Sequence, residues 1–359
     1  MSRFLIVLVA ACLFLPLPAW SQEEDHEERG EQGDPAHPAP QLIIKGFTDI
    51  SFSENQDENE NTFTLGQFDL FITSALSDKF SFLSEVVYRF GRDNKASFEI
   101  ERVQVKYSHS DQINLVLGRM HTPLGYWNET YHHGAWFQTT AFRPEVEDSN
   151  VLPQHEIGLQ FLGSQRFPSL DFEYNISIAN GRARTISENQ TVQDFNGLKA
   201  VNILLKASPD ALPGLKFGFN TYIDKIPADP AVPARNGEID ELILGAHLVY
   251  LSANIEFLSE FAHISHDDEV SGKDFETTGY YIQGAYQYQK WKPYYRFDYL
   301  NFGDGDPYYA SILLDQKKHT AGVRFDPILW LGLKIEYSFT RPRIKDSFSS
   351  ITLQTAFTF

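Results

Sequence analysis

The sequence predicts an all-β chain, a transmembrane antiparallel β-barrel of about sixteen strands. Three observations carry that expectation. From Gln41 onward, stretches of roughly ten residues alternate apolar and polar side chains, which is the period of a strand. The links between these stretches alternate between short and long. The chain closes on Ile351–Phe359, where Ile351, Leu353, Phe357 and Phe359 share one face and Thr352, Gln354, Ala356 and Thr358 the other. A soluble edge strand ending on bare Phe invites aggregation, whereas a strand that closes a barrel sets the same apolar face in lipid.

Met1–Ser21 reads as a secretory signal, with Arg3 at its start, the apolar run Phe4–Leu15 and an Ala19-Trp20-Ser21 cleavage site. Cys12 follows Val9-Ala10-Ala11, but cleavage there would leave apolar Leu13–Trp20 on the mature end. Cys12 is therefore expected to leave with the signal, and no disulfide or thiol chemistry follows. Residues 22–40 form a separate acidic arm, expected to be disordered and periplasmic: Glu23–Pro40 holds seven acids against one Arg. Its His26 and His37 could hold a divalent ion loosely; a solvated tether is the simpler reading. The barrel is assigned to residues 41–359.

The chain has 30 basic and 48 acidic side chains; without Arg3, Arg29 and the seven acids of the arm, 28 and 41 remain. An acidic body excludes nucleic acid as a partner, since that needs a basic face. Sixteen strands are expected, at 41–53, 62–76, 79–90, 97–108, 111–119, 155–163, 169–179, 197–207, 213–224, 238–250, 253–264, 275–288, 290–302, 316–326, 330–340 and 348–359. Each has about the length that a tilted strand needs to cross a bilayer. In the seventh, Leu170, Phe172, Tyr174, Ile176 and Ile178 oppose Asp171, Glu173, Asn175 and Ser177. In the thirteenth, Trp291, Tyr295, Phe297 and Tyr299 oppose Lys292, Tyr294, Arg296 and Asp298. The fourth slips parity after Ile100, and a bulge near Glu101-Arg102 would restore one apolar face. The eleventh is ambiguous.

Short turns such as Ser77-Asp78, Leu251-Ser252 and Asp326–Leu329 alternate with longer links at 54–61, 91–96, 120–154, 180–196, 225–237, 265–274, 303–315 and 341–347. Barrels of bacterial outer membranes join their strands by short periplasmic turns and long external loops, and an even strand number leaves both termini periplasmic. Aromatics make up 14% of the chain, and many sit at strand ends, among them Tyr88, Tyr107, Tyr250, Tyr286, Trp291 and Trp330, which suits girdles at the two interfaces. The acid-rich links Glu54–Asn61, His266–Asp268 and Asp304-Gly305-Asp306 read as solvated loops able to meet divalent ions that bridge surface lipopolysaccharide.

The third long link, Met120–Gln154, stands apart because it carries Trp127, Trp136, Phe137 and Phe142, and aromatics on a loop imply that it packs on something. By length, by the alternation of its links and by the position of this loop after the fifth strand, the body resembles the sixteen-stranded general porins of Gram-negative outer membranes. The stretch Gly118-Arg119-Met120-His121-Thr122-Pro123-Leu124-Gly125 also resembles a strand end of the phosphate-selective O/P-type porin group. The resemblance implies an inward-folded third external loop, a homotrimer seated in outer-membrane lipid, and passive diffusion of small hydrophilic solutes or ions through an aqueous channel.

Such a channel is selective through the width and fixed charge of its constriction. Inward parity nominates Arg89, Arg102, Lys106, Lys292, Arg296, Arg324 and Lys334 on the wall, and the third loop offers Glu129, Glu145, Glu147 and Asp148. The resemblance implies that basic wall and acidic loop face one another across the eyelet. His121, His132, His133 and His155 match no compact metal motif, so no metal or other cofactor is assigned. Nothing resembles a catalytic constellation, and the acidic arm is too short for a plug, so neither an enzyme nor a gated receptor is expected. The competing reading is a structural or adhesive barrel without an open channel.

Overall fold

The computed structural model describes residues 41–55, 60–90, 95–132, 134–148, 150–188, 193–310 and 315–359; the expected signal, the acidic arm and His133 lie outside these described residues. Sixteen strands follow in order: β1 (Leu42–Asn55), β2 (Glu60–Ala75), β3 (Phe80–Phe90), β4 (Ala96–Ser108), β5 (Asn114–His121), β6 (His155–Phe167), β7 (Leu170–Asn180), β8 (Lys199–Pro209), β9 (Leu215–Ile226), β10 (Ile239–Leu251), β11 (Ile255–Asp268), β12 (Lys273–Tyr286), β13 (Trp291–Asn301), β14 (Gln316–Ile328), β15 (Leu331–Pro342) and β16 (Phe348–Thr358). Each pairs antiparallel with its neighbour in sequence, and β1 pairs with β16, so the sheet closes into a barrel. Closure leaves no free strand edge in the ring, which is what lets a sheet stand in hydrocarbon.

The final strand makes that closure. On β16, Thr352, Gln354 and Ala356 are buried while Ile351 and Leu353 are exposed, as the alternation predicts. Phe359 exchanges backbone hydrogen bonds with Gly46 at 2.9 and 3.0 Å. Its ring lies against Gly46, where an added Cβ would sit 2.5 Å from the ring, and stacks on Phe68. Glycine at 46 therefore makes room for the closing aromatic. Leu353 stands mid-strand, between Phe52 of β1 and Ile335 of β15. Leu353→Arg is expected to destabilise the barrel by about 2–4 kcal/mol, measured by denaturant titration in lipid vesicles.

The bulge falls where the slipped parity requires it. Glu85 pairs with Arg102 and Val86 with Ile100, leaving Glu101 as the extra residue. Phe98, Ile100, Val103 and Val105 then all face outward, and Glu101 is turned inward and fully buried.

The inner wall is not uniformly polar. Along β9–β13 it places Tyr222, Ile243, Leu258, Ile264, Tyr281 and Leu300 in one buried cluster with Leu124, Trp127, Val146 and Leu152 of the long loop. This explains the ambiguity of the eleventh strand: Leu258 and Ile264 share the inward parity of Glu256, Glu260 and His266 because a loop covers them. Two of the three acid-rich links, His266–Asp268 and Asp304-Gly305-Asp306, differ from expectation, while Glu54–Asn61 lies partly outside the described residues. His266, Asp268 and Asp306 are buried, and His266 bridges Glu241 at 3.1 Å and Asp306 at 2.8 Å. Only Asp267 and Asp304 of those two segments remain as exposed acids.

Candidate functional site

The loop joining β5 to β6 is built around its own roots. It contains two single-turn helices, α1 (Trp127–Thr130) and α2 (Glu145–Asp148). The Thr122 N–H donates to the Gln154 carbonyl at 3.0 Å, and the Asn128 amide donates to the carbonyls of both Thr122 and Gln154 at 2.9 and 3.0 Å. The glycines of the Gly118–Gly125 stretch have a mechanical reason. Gly118 (φ 139°) passes so close to β4 that a Cβ would fall 2.1 Å from the Val103 carbonyl oxygen. Gly125 (φ 75°) lets the chain lie against the Glu260 carboxylate.

Inward-parity side chains from much of the ring then grip the loop backbone. The Glu260 carboxylate accepts the N–H groups of Tyr126 (2.5 Å) and Trp127 (2.8 Å), at the start of α1, and the Tyr281 hydroxyl at 2.6 Å. Negative charge at a helix N-terminus is favourable there. The Asn202 amide donates to the Pro123 carbonyl at 2.6 Å. On the facing wall Lys334 donates to the carbonyls of Ala135 (2.6 Å) and Thr140 (2.7 Å), and Arg324 to those of Trp136 (2.8 Å) and Gln138 (2.9 Å). Arg296 takes the Thr140 hydroxyl and the Phe142 carbonyl at 2.9 Å each and the Arg143 carbonyl at 3.0 Å. Glu336 accepts the Ala141 N–H at 2.9 Å.

The nominated charges therefore separate by location. Arg296, Arg324 and Lys334 are buried beneath the loop and bound to its carbonyls. Glu145 pairs with Lys318 at 2.7 Å, and Glu129 with Lys206 at 2.7 Å. Arg102 pairs with Glu85 at 2.5 Å, while Arg89 bridges Glu99 (2.8 Å) and Glu101 (2.9 Å). Lys106 lines a cavity of about 960 Å³ at the turn end of the barrel, with Glu129, Glu173, Lys206 and Lys216. On the side of β1–β3 a smaller cavity of about 310 Å³ separates wall from loop. Its charged lining is Asp49 and Arg89 from the wall and Arg143 and Asp148 from the loop. Arg143 lies 3.6 Å from Asp148. Of these four, Arg89 and Asp148 are among the charges expected from the sequence. Asp49 carries the inward parity of β1 and was legible by that rule; Arg143 was not, since nothing in the sequence tells which side of a loop faces a gap.

Glu147 stands away from any basic wall. It is buried near Glu260, and burial first, then the charge of Glu260, hold its carboxyl well above the ordinary 4.5, with Arg143 offsetting only part. Glu145 goes the other way: burial, the largest single influence, would raise it, but Lys318, Arg296 and Gln316 together lower it. For Glu147 the folded chain keeps a proton that the unfolded chain loses near pH 4.5, so its seat is favoured below that pH and weakened as pH rises past it. Glu147→Gln should remove this pH dependence and protect the loop from proteolysis at neutral pH, read by limited digestion across the acid-to-neutral range.

No protein-family model matches the chain, and no curated protein matches it in sequence. Solved structures do match the fold. OmpT, an outer-membrane protein of Vibrio cholerae in its trimer form, is 10% identical, aligns over 90% of this chain and 100% of its own, and gives a TM-score of 0.62. An anion-selective porin from Comamonas acidovorans is 12% identical over 89% of this chain and 100% of its own, with a TM-score of 0.62. The outer-membrane channel DcaP of Acinetobacter baumannii is 10% identical over 91% of this chain and 99% of its own, again at 0.62. The structural neighbours of this barrel are outer-membrane porins and channels.

Proposed function

We propose that the chain is an outer-membrane porin, a passive channel for small hydrophilic solutes or ions, narrowed by the loop at 122–154. The observation that carries the reading is the attachment of that loop. Its backbone is bonded by inward-parity side chains of β8, β11 and β13–β15, while the side toward β1–β3 is left as a cavity. A loop bound in this way lies across the lumen and leaves a passage along one wall. The chain acts without catalysis, reaches the outer membrane through a cleaved signal at 1–21, keeps residues 22–40 as a periplasmic arm, and sits among lipid and lipopolysaccharide as a homotrimer. The Gly118–Gly125 stretch adds support for a kinship with the O/P-type group, because both glycines are needed where the loop leaves the strand.

Asp49, Arg89, Arg143 and Asp148 are the proposed eyelet charges, two of each sign. Arg89 is held by two carboxylates, which leaves Asp49 and the Arg143–Asp148 pair to set the local field. The test is the reversal potential of single channels in a salt gradient. Arg143→Ala should move it toward cation preference and Asp148→Ala toward anion preference; if neither moves it, the passage lies elsewhere.

A further inference from the structure

Three histidines, one at each root of the loop and one within it, meet at the foot of the loop. His121 ends β5, His155 begins β6, and the two are register partners. His132 comes back to them from just beyond α1, held at a left-handed φ of 46° that few non-glycine residues adopt. One ring nitrogen of each falls within 4.8 Å of the others, and all three rings are largely buried. The bulged Glu101 turns a fully buried carboxylate into the group. Its Oε2 lies 2.5 Å from His155 Nε2 and 4.0 Å from His132 Nε2, while Oε1 takes Arg89.

The hydrogen bonds of Asn128 fix how His132 presents itself. Asn128 donates its amide N–H groups to the Thr122 and Gln154 carbonyls, so its oxygen is what faces His132 Nδ1, at 2.6 Å. An oxygen without a proton requires Nδ1 to carry one. In the neutral ring the lone pair is then on Nε2, which points toward the Glu101 carboxylate. That lone pair is thereby turned into the histidine cluster. An orienting hydrogen bond on the far nitrogen is also how metal-binding histidines are commonly held.

We propose that His121, His132 and His155, with Glu101, bind one borderline divalent transition-metal ion of the zinc class. Three imidazoles and one carboxylate suit zinc, and also cobalt, nickel or copper, and disfavour magnesium and calcium. Tetrahedral bonds of about 2.0–2.1 Å would draw the nitrogens to about 3.4 Å apart. The ion would tie both roots of the loop to its first helix, a clamp at the place where the loop leaves the wall. Metal uptake is read on the chain itself, so its result is independent of whether the barrel conducts.

The test uses the full mature chain, stripped with a chelator in detergent and titrated with zinc by calorimetry and with cobalt by visible absorption. The expected result is one ion per chain, cobalt bands of a four-coordinate site, and no heat from magnesium. His132→Gln should weaken zinc binding by about 100-fold, and Asn128→Ala by about 10–100-fold through loss of ring orientation. A His121→Gln/His132→Gln/His155→Gln variant should lose the site. Absence of stoichiometric uptake by the stripped wild-type chain would overturn the proposal without recourse to any variant. Uptake unchanged in the triple variant would overturn it too, and would put the metal elsewhere on the chain.

Discussion

Glu260→Ala should release the first half of the loop and raise single-channel conductance, with added current noise as the freed segment moves. Glu260 receives two backbone N–H groups and a tyrosine hydroxyl, all buried. Hydrogen bonds to a charged group are worth about 1.5–3 kcal/mol each, and the orphaned N–H groups of Tyr126 and Trp127 would add their own desolvation penalty. The buried cluster around Trp127 and Tyr281 keeps the segment near the wall, so the expected change is partial detachment rather than loss of fold. Glu260→Gln keeps one acceptor oxygen and should fall between. Protease cleavage near Tyr126 that rises together with conductance would tie the two effects to one cause.

The second large effect is expected at Arg296. This side chain is fully buried, pairs with Asp298 at 2.8 Å and binds residues 140, 142 and 143 of the loop. Arg296→Met leaves Asp298 buried without its cation, a loss of about 3–5 kcal/mol. It also frees the stretch that carries Arg143 into the gap, so conductance should rise and ion preference should shift. The double variant Arg296→Met/Asp298→Asn separates the causes. It should recover most of the stability, measured by denaturant titration, while conductance stays high, because the loop carbonyls still lack their donor.

The ring of strands was legible because strand parity is a local property. All sixteen strands appear within about four residues of their expected ends, and even the bulge at Glu101 follows from one break in alternation. The site was legible only in part. Inward parity found Arg296, Arg324 and Lys334, but not that they would bind loop carbonyls, because the path of the loop depends on contacts distant in sequence. Glu260 was hidden by its apolar neighbours on the inner face of β11, whose cover is the loop itself. The histidines were grouped from the sequence but set aside for want of a compact spacing, since His121 and His155 come together by strand register and His132 by a helical turn.

Single-channel recording of the purified mature chain in a planar bilayer decides whether the barrel is an open pore narrowed by its loop. Discrete, ohmic conductance steps are expected in wild type, growing larger in Glu260→Ala. A correctly folded barrel, confirmed by its β-sheet circular dichroism, that passes no current in either form would contradict the open-pore reading.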